Sequence, residues 1–448
     1  MSTPETATVS DAAAPDATRG TRRALAVVVA IVFIDLLGFG VVIPILPFYV
    51  RDFAVSDVFI GLLAASYSIM QFLFAPILGR ISDQRGRRPV IMLSLLGSVL
   101  AWTVFGVAGE VDVLFGTSLA VGTLFASRML AGAMGGNIAT AQAYIADITP
   151  PERRAGALGL IGASFSLGFI FGPAIGGLMA SDLVVTAARD VLPAFVPVTR
   201  FSLPSFTAAG LSLVSLGFAG AFLREPDRKR GPAASATTLV TQFRGALADD
   251  DLRGLVVSFF VVSVAFSGIQ VMFIPFAADI YGYGETETAL FLTYIGILGT
   301  LNQGVVVGQL ARRISEAKLA VVGALGLMLA LALLPFSPGI GQFLPAVGGP
   351  TWLTRELLAL LLVGALLSVG NGLLNVSLST LVSTSASDDQ QGNAFGVTQG
   401  AGSLGRTVGP PTMAALYVLA YWSPFVFGAV LVVPVVFVLA AVARTPGT

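Results

Sequence analysis

Three charged residues stand where charge is costly. Asp35, Arg128 and Arg406 each lie inside a long run of apolar residues. An ionised side chain at the centre of a bilayer costs roughly 2.5–3.5 kcal/mol even on insertion scales, so such residues mark ion or substrate paths. Asp35 sits near the middle of a run that begins at Ala24. Desolvation favours the protonated acid, and a nearby cation favours the ionised one. Arg128, deep in its own run, is the candidate partner, and a carboxylate balanced between these effects can load and release a proton. The alternative is a static Asp35–Arg128 bridge. Arg406 has no acid in its own run. It attracts an anionic substrate, pairs with a bound carboxylate, or meets backbone carbonyls.

Amides are scattered through the same apolar runs. Gln71, Asn137 and Gln142 fall in the first half of the chain; Gln270, Asn302, Gln303, Asn371, Asn375 and Gln399 fall in the second. They are candidates to line a substrate cavity, and each has the alternative of bonding one helix to another. There is no cysteine and no histidine. Thiol catalysis, disulfides and most zinc sites are thereby excluded, no metal site is expected, and carboxylates are left as the titrating groups. No GxxxxGK[ST] phosphate loop occurs, which argues against an ATP-driven pump. In-membrane acids are too sparse for a polytopic enzyme. Formal net charge is zero, so nucleic acid is not an expected partner.

The elements that must position these residues are membrane helices. Of 448 residues, 55% are hydrophobic and only 11% charged, less than half the charge of a soluble domain. A span needs roughly 20 apolar residues. The runs 24–47, 57–79, 89–109, 119–145, 155–180 and 205–223 meet that need in the first half. The runs 253–278, 286–310, 318–336, 354–380, 391–418 and 421–443 meet it in the second. The expected fold is an all-α integral membrane protein of twelve helices. Residues 1–23 read as a disordered tail, 24–223 and 253–444 as six-helix bundles, and 224–252 as a hydrophilic linker. In that linker, Val240–Leu247 reads either as an amphipathic surface piece or as a loop. Basic residues cluster on alternate loops (Arg22 and Arg23; Arg80 to Arg88; Arg153 and Arg154; Arg224 to Arg244; Arg312 to Lys318), which places those loops and both termini in the cytoplasm. The 10–11 loop, with Asp388 and Asp389, departs from the trend.

The halves resemble each other. Aligning Gly172-Pro173 with Gly409-Pro410 also aligns Ser166-Leu167-Gly168 with Ser403-Leu404-Gly405, Gly159 with Gly396 and Ala157 with Ala394. Repeats of this kind build many secondary transporters, with the substrate site at their interface.

The most specific segment runs from Gly79 through Asp83, Gly86 and Arg87 to Arg88, followed by Pro89. It is a tight turn between two membrane helices, and it resembles the loop 2–3 signature of the major facilitator superfamily. Arg128 with Gly132 and Gly136 resembles that family's fourth-helix motif. Gly168, Gly172, Pro173, Gly176 and Gly177 resemble the fifth-helix motif of its drug/proton antiporters. Asp35 through Pro44 and Pro47 resembles the first helix of the tetracycline-efflux-like branch. The resemblance implies two pseudo-symmetric bundles that work by alternating access. It also implies a latch in which Asp83 caps the start of span eleven and Arg87 pairs with Asp147, holding an outward-facing state. For Asp147 the alternative is an ordinary solvated helix-end acid.

The chain departs from the branch where a third-helix acid gives way to Ala101, where span nine carries no acid, and where spans seven and eight carry no histidine. Tetracycline itself is therefore not the expected substrate. The implied activity is proton-coupled efflux of small lipophilic compounds, with the proton gradient in place of any cofactor. A symporter or facilitator for a small nutrient is the alternative. The expected setting is a monomer in the cell membrane of a prokaryote, with the first bundle coupling energy and the second selecting substrate.

Overall fold

The computed structural model describes residues 14–226, 244–245, 247–302, 306–311, 313–345, 353–385 and 391–444. Among them the chain is helical and contains no strand. The first six membrane helices are α1 (Ala14–Val42), α2 (Val58–Arg85), α3 (Arg87–Gly106), α4 (Thr117–Met134), α5 (Pro151–Ala180) and α6 (Ser202–Phe222). The second six are α7 (Asp250–Tyr281), α8 (Glu285–Leu301), α9 (Glu316–Leu333), α10 (Arg355–Ser385), α11 (Gln391–Leu419) and α12 (Ser423–Val442). Ten of these passes are long and apolar enough to cross a membrane. The other two are α8, a 17-residue helix, and α11, which carries Arg406 in a run of glycine and hydroxyl residues. Glycine punctuates the turns: Gly86 (φ 115°) and Gly116 (φ 87°) reverse the chain where a Cβ would be strained.

The sequence repeat reappears as a packing repeat. In the first bundle α1 packs on α5 and α6, and α3 on α4 and α6. In the second, α7 packs on α11 and α12, and α9 on α10 and α12. The bundles meet along two interfaces, α2 with α11 and α5 with α8, which exchange places under the same pseudo-symmetry.

Helix α1 begins at Ala14, ten residues before the apolar run, so the tail read as 1–23 is helical from Ala14 onward. A span that is already nucleated extends at low cost through residues of fair helix propensity, and Pro15 suits a first turn. Residues 1–13 lie outside the described residues, as do Asp388, Asp389, Gln303, Arg312 and the linker from 227 to 243.

The bundles are close at one end and splayed at the other. At the end opposite the arginine-rich loops, a methyl group on Gly177 would sit 2.6 Å from Ala289 Cβ, and one on Gly61 would overlap the Pro410 carbonyl. Thr286 and Thr293 of α8 donate to the Gly177 and Ile170 carbonyls of α5. Toward the arginine-rich end, a methyl group on Gly79 of α2, on Gly156, Gly159 or Gly162 of α5, or on Gly396 of α11 would meet no described residue within 4 Å.

Candidate functional site

Between the bundles lies a cavity of about 620 Å³, lined by α1, α2, α3, α4, α5 and α11 and by the segment after α4. Asp35 is the only acid among its described lining residues. The fourth span is broken at Gly135 and Gly136, and helix resumes at Asn137–Ile148. Asn137, the first residue of that half-helix, is buried and donates its side-chain N–H to Asp35 Oδ2 at 2.6 Å. The positive end of the half-helix is therefore beside the carboxyl group, as at other ion sites built from interrupted membrane helices. Ser98 of α3 and Ser212 of α6 flank the same carboxyl.

Glycines in α5 set how closely this group is held. A methyl group on Gly40 would lie 2.6 Å from the Gly168 carbonyl, and one on Gly172 would lie 2.6 Å from Gly40 Cα. Gly176 meets Val41 in the same way. These residues, together with Pro173 inside α5, let α1 and α5 cross backbone to backbone just beyond Asp35. The motif thus performs a packing task, fixing the depth and direction of the acid.

Arg128 does not pair with Asp35, which corrects the expected partnership. Its guanidinium is enclosed by three rings, with Tyr67, Trp102 and Phe39 centred 4.8, 5.5 and 5.9 Å away. Arg128 is buried, and its Nε has no hydrogen-bond partner. Cation–π contact replaces the carboxylate, which leaves Asp35 to Asn137. Arg406 reaches the cavity from α11 and donates to Ser403 Oγ at 3.0 Å.

The amides divide. Gln71, Asn137 and Gln142 line the cavity. Gln270, Asn302, Asn371, Asn375 and Gln399 are not among its lining residues. Asn302 is buried and donates to the Ser368 and Val369 carbonyls, tying α8 to α10. Asn375 donates to Asn371 within α10. Sequence reasoning missed Tyr67, Ser98, Trp102 and Ser403.

At the arginine-rich end, Arg87 is buried and its Nε lies 2.9 Å from Asp147 Oδ2. Asp83 sits 2.8 Å from Arg87 Nη1. Capping of the start of span eleven by Asp83 concerns a region adjoining 386–390, outside the described residues. Glu225, just after α6, is a participant that sequence reasoning missed. Its carboxylate accepts from the backbone N–H groups of Arg87 and Arg88 at 2.7 and 2.9 Å, capping α3. Gly86 makes room for it, because a Cβ there would fall 2.7 Å from the Glu225 carboxyl carbon. Gly79 touches nothing across the gap.

The opposite end carries a second ionic cluster. Arg51 binds Asp57 of its own bundle through Nε and Nη2 (2.8 and 2.7 Å) and Asp279 of the other bundle through Nη1 and Nη2 (2.7 and 2.9 Å). Tyr417 also donates to Asp279, at 2.7 Å. Arg200 approaches Glu285 across the same seam at 3.7 Å.

These features agree with comparison to known proteins. The family model "Major Facilitator Superfamily" matches residues 28–353. The tetracycline resistance protein, class C, of Escherichia coli is 31% identical over 400 residues, covering 88% of this chain and 89% of that protein. The human organic anion transporter MFSD10 (TETRAN) superposes with a TM-score of 0.63 at 26% identity, over 94% of this chain and 99% of that one. A bacterial homologue of the lysosomal transporter Spinster, in an inward-facing and occupied conformation, shares the fold (TM-score 0.68, 16% identity, 94% and 96% covered). The chain belongs to the major facilitator superfamily and is a multi-pass membrane transporter of its drug/proton antiporter branch.

Proposed function

We propose that this member of the major facilitator superfamily exports small lipophilic compounds from the cytoplasm in exchange for protons, by alternating access. The names of its tetracycline resistance relatives favour drug export over nutrient uptake. The observation that carries the coupling is the environment of Asp35. It is the only acid among the described residues lining the cavity, it is hydrogen-bonded to Asn137 at a broken helix, and its neighbouring cation is sequestered by rings. A carboxyl group so placed has no fixed counter-charge to hold it ionised, so it exchanges a proton with whichever side the cavity faces.

The arginine-rich loops and both termini face the cytoplasm in this reading. The splayed end is then cytoplasmic and the state inward-facing, closed at its outer end by Arg51 and Asp279; the intact Arg87–Asp147 pair lies within the first bundle and does not hold the inner end shut, contrary to the expected outward-facing latch. Asp35 delivers its proton to the cytoplasm and the cavity takes up substrate. Closure of the inner end and rupture of the outer ion pairs then let substrate leave outward and a new proton bind. The protein works as a monomer in the plasma membrane of a prokaryotic cell. It performs no covalent chemistry, uses no cofactor and binds no nucleic acid.

The test is transport in proteoliposomes with an imposed pH gradient, using lipophilic fluorescent dyes. Asp35→Asn should abolish gradient-driven flux while substrate binding persists. Undiminished flux in that variant sinks the assignment, and flux running with the proton would make the protein a symporter.

A further inference from the structure

We propose that the compounds exported carry an anionic group, such as a carboxylate, and that Arg406 is the residue that binds it. The inference rests on the reading of the cavity as the transport site. Arg406 is half-buried, projects from the second bundle and lines the cavity, yet among the described residues its hydrogen bond goes to a neutral hydroxyl, Ser403 Oγ at 3.0 Å. A guanidinium carries five N–H donors in a planar fork that matches a carboxylate or phosphate, and an uncompensated cation away from water is costly. The only acid among the described lining residues, Asp35, is engaged by Asn137 on the far bundle.

Arg128 strengthens the case without competing. Its guanidinium is covered by Phe39, Tyr67 and Trp102, so it presents no open fork, but its charge remains. Tyr67 stands within electrostatic reach of both arginines. When substrate loads, Asp35 is ionised and held by Asn137 on the first bundle, so Arg406 still lacks an acidic partner among the described lining residues, and Arg128 adds positive charge from behind the rings. An anionic group completes the Arg406 fork. Trp102, Phe72 and Phe165 supply apolar surface for the body of such a molecule.

Charge accounting follows. One proton moving inward while one monoanion moves outward transfers two positive charges inward, so a cytoplasm-negative potential drives both halves of the exchange. One proton against one monocation would be electroneutral.

The experiment compares three probes of one shape: 2-naphthoate, 2-naphthalenemethanol and 2-naphthylmethylammonium. Their binding to the purified full-length protein is measured by isothermal titration calorimetry. Naphthoate should bind at least tenfold more tightly than the ammonium compound. Arg406→Gln should weaken naphthoate at least tenfold and leave the alcohol unchanged, with Arg406→Lys between. If Arg406→Gln fails to fold, the wild-type ranking and the lysine variant decide. Equal or stronger binding of the ammonium compound, an unaltered naphthoate affinity in Arg406→Gln, or no naphthoate binding at millimolar concentration overturns the proposal. In proteoliposomes at a fixed pH gradient, a cytoplasm-negative potential should accelerate naphthoate export. Proton-coupled export of the ammonium compound alone would keep the efflux function and defeat the anion site. Arg406-dependent naphthoate binding without proton movement would do the reverse.

Discussion

Asp279→Asn tests the outer closure. Asp279 is the acid through which Arg51 reaches across the seam, by two hydrogen bonds of 2.7 and 2.9 Å. The side chains are 25% and 42% exposed, so the pair is discounted for solvent and salt. Exposed ion pairs contribute about 0.2–1 kcal/mol, and fork-on-carboxylate geometry puts this one near the top of that range. Asparagine keeps the size and an acceptor for Tyr417, so the loss is confined to the charge pair. About 1 kcal/mol corresponds to roughly a fivefold gain in the population with its outer end open. The chain has no cysteine, so spin labels at Ser56→Cys and Leu290→Cys report one distance across the seam without background. Pulsed electron resonance should show the longer-distance component growing about fivefold in Asp279→Asn and staying as in the parent in Asp279→Glu. Asp57→Asn should have little effect, because Asp57 binds Arg51 within one bundle. An unchanged distribution in Asp279→Asn, or an equal shift in Asp57→Asn, would refute the reasoning.

Gly86→Ala forces a side chain into φ 115° and against the Glu225 carboxyl group. It should cost about 1–3 kcal/mol and lower the melting temperature, and an unaltered melt would remove the argument for Glu225 as a cap. Reversing one charge, in Arg87→Glu or in Asp147→Arg, should cost about 1.5–3 kcal/mol at a buried charge-assisted bond and impair transport. The double reversal should recover part of both, and no recovery would mean that the contact is incidental. Gly172→Ala places a methyl group 2.6 Å from Gly40 Cα. It should destabilise by about 1–3 kcal/mol through overpacking and slow transport, whereas parental melting and flux would show that α1 and α5 separate freely.

The fold was legible because a bilayer imposes one rule on every span. Length, apolar character and arginine placement marked the twelve passes, and Gly172-Pro173 with Gly409-Pro410 exposed the repeat that packing later confirmed. The run 391–418 was legible as a span in spite of Arg406 and its small residues, because its length and its match to span five still fitted a membrane helix. Asp35 was legible as a costly charge, but its partner was not. A buried arginine suggests a carboxylate, and sequence offers no measure of how three rings from three helices converge on one guanidinium. Glu225 was hidden for a related reason. It lies 137 residues from the backbone N–H of Arg88 that it caps, and nothing local distinguishes it from other acids in a loop.

The assignment of coupling to the first bundle and substrate choice to the second needs revision in its second part. Of the amides expected to form a substrate face in the second bundle, Asn302 bonds α8 to α10, Asn375 folds onto Asn371, and Gln270 and Gln399 lie outside the cavity lining. Gln71, Gln142 and the aromatic wall come from the first bundle, beside Asp35. Among the described residues, the second bundle lends the cavity Ser403 and Arg406. A substrate bridging Asp35's bundle and Arg406 would therefore touch both halves through one charge on each side. Protonation of Asp35 changes the net charge the guest meets, and bundle rotation changes the distance between the two charges. Proton binding and substrate binding are then linked through the same few ångströms of space. Protonation of Asp35 by itself favours an anionic guest, so exchange rests on which loaded states change conformation, with no separate relay between two distant sites.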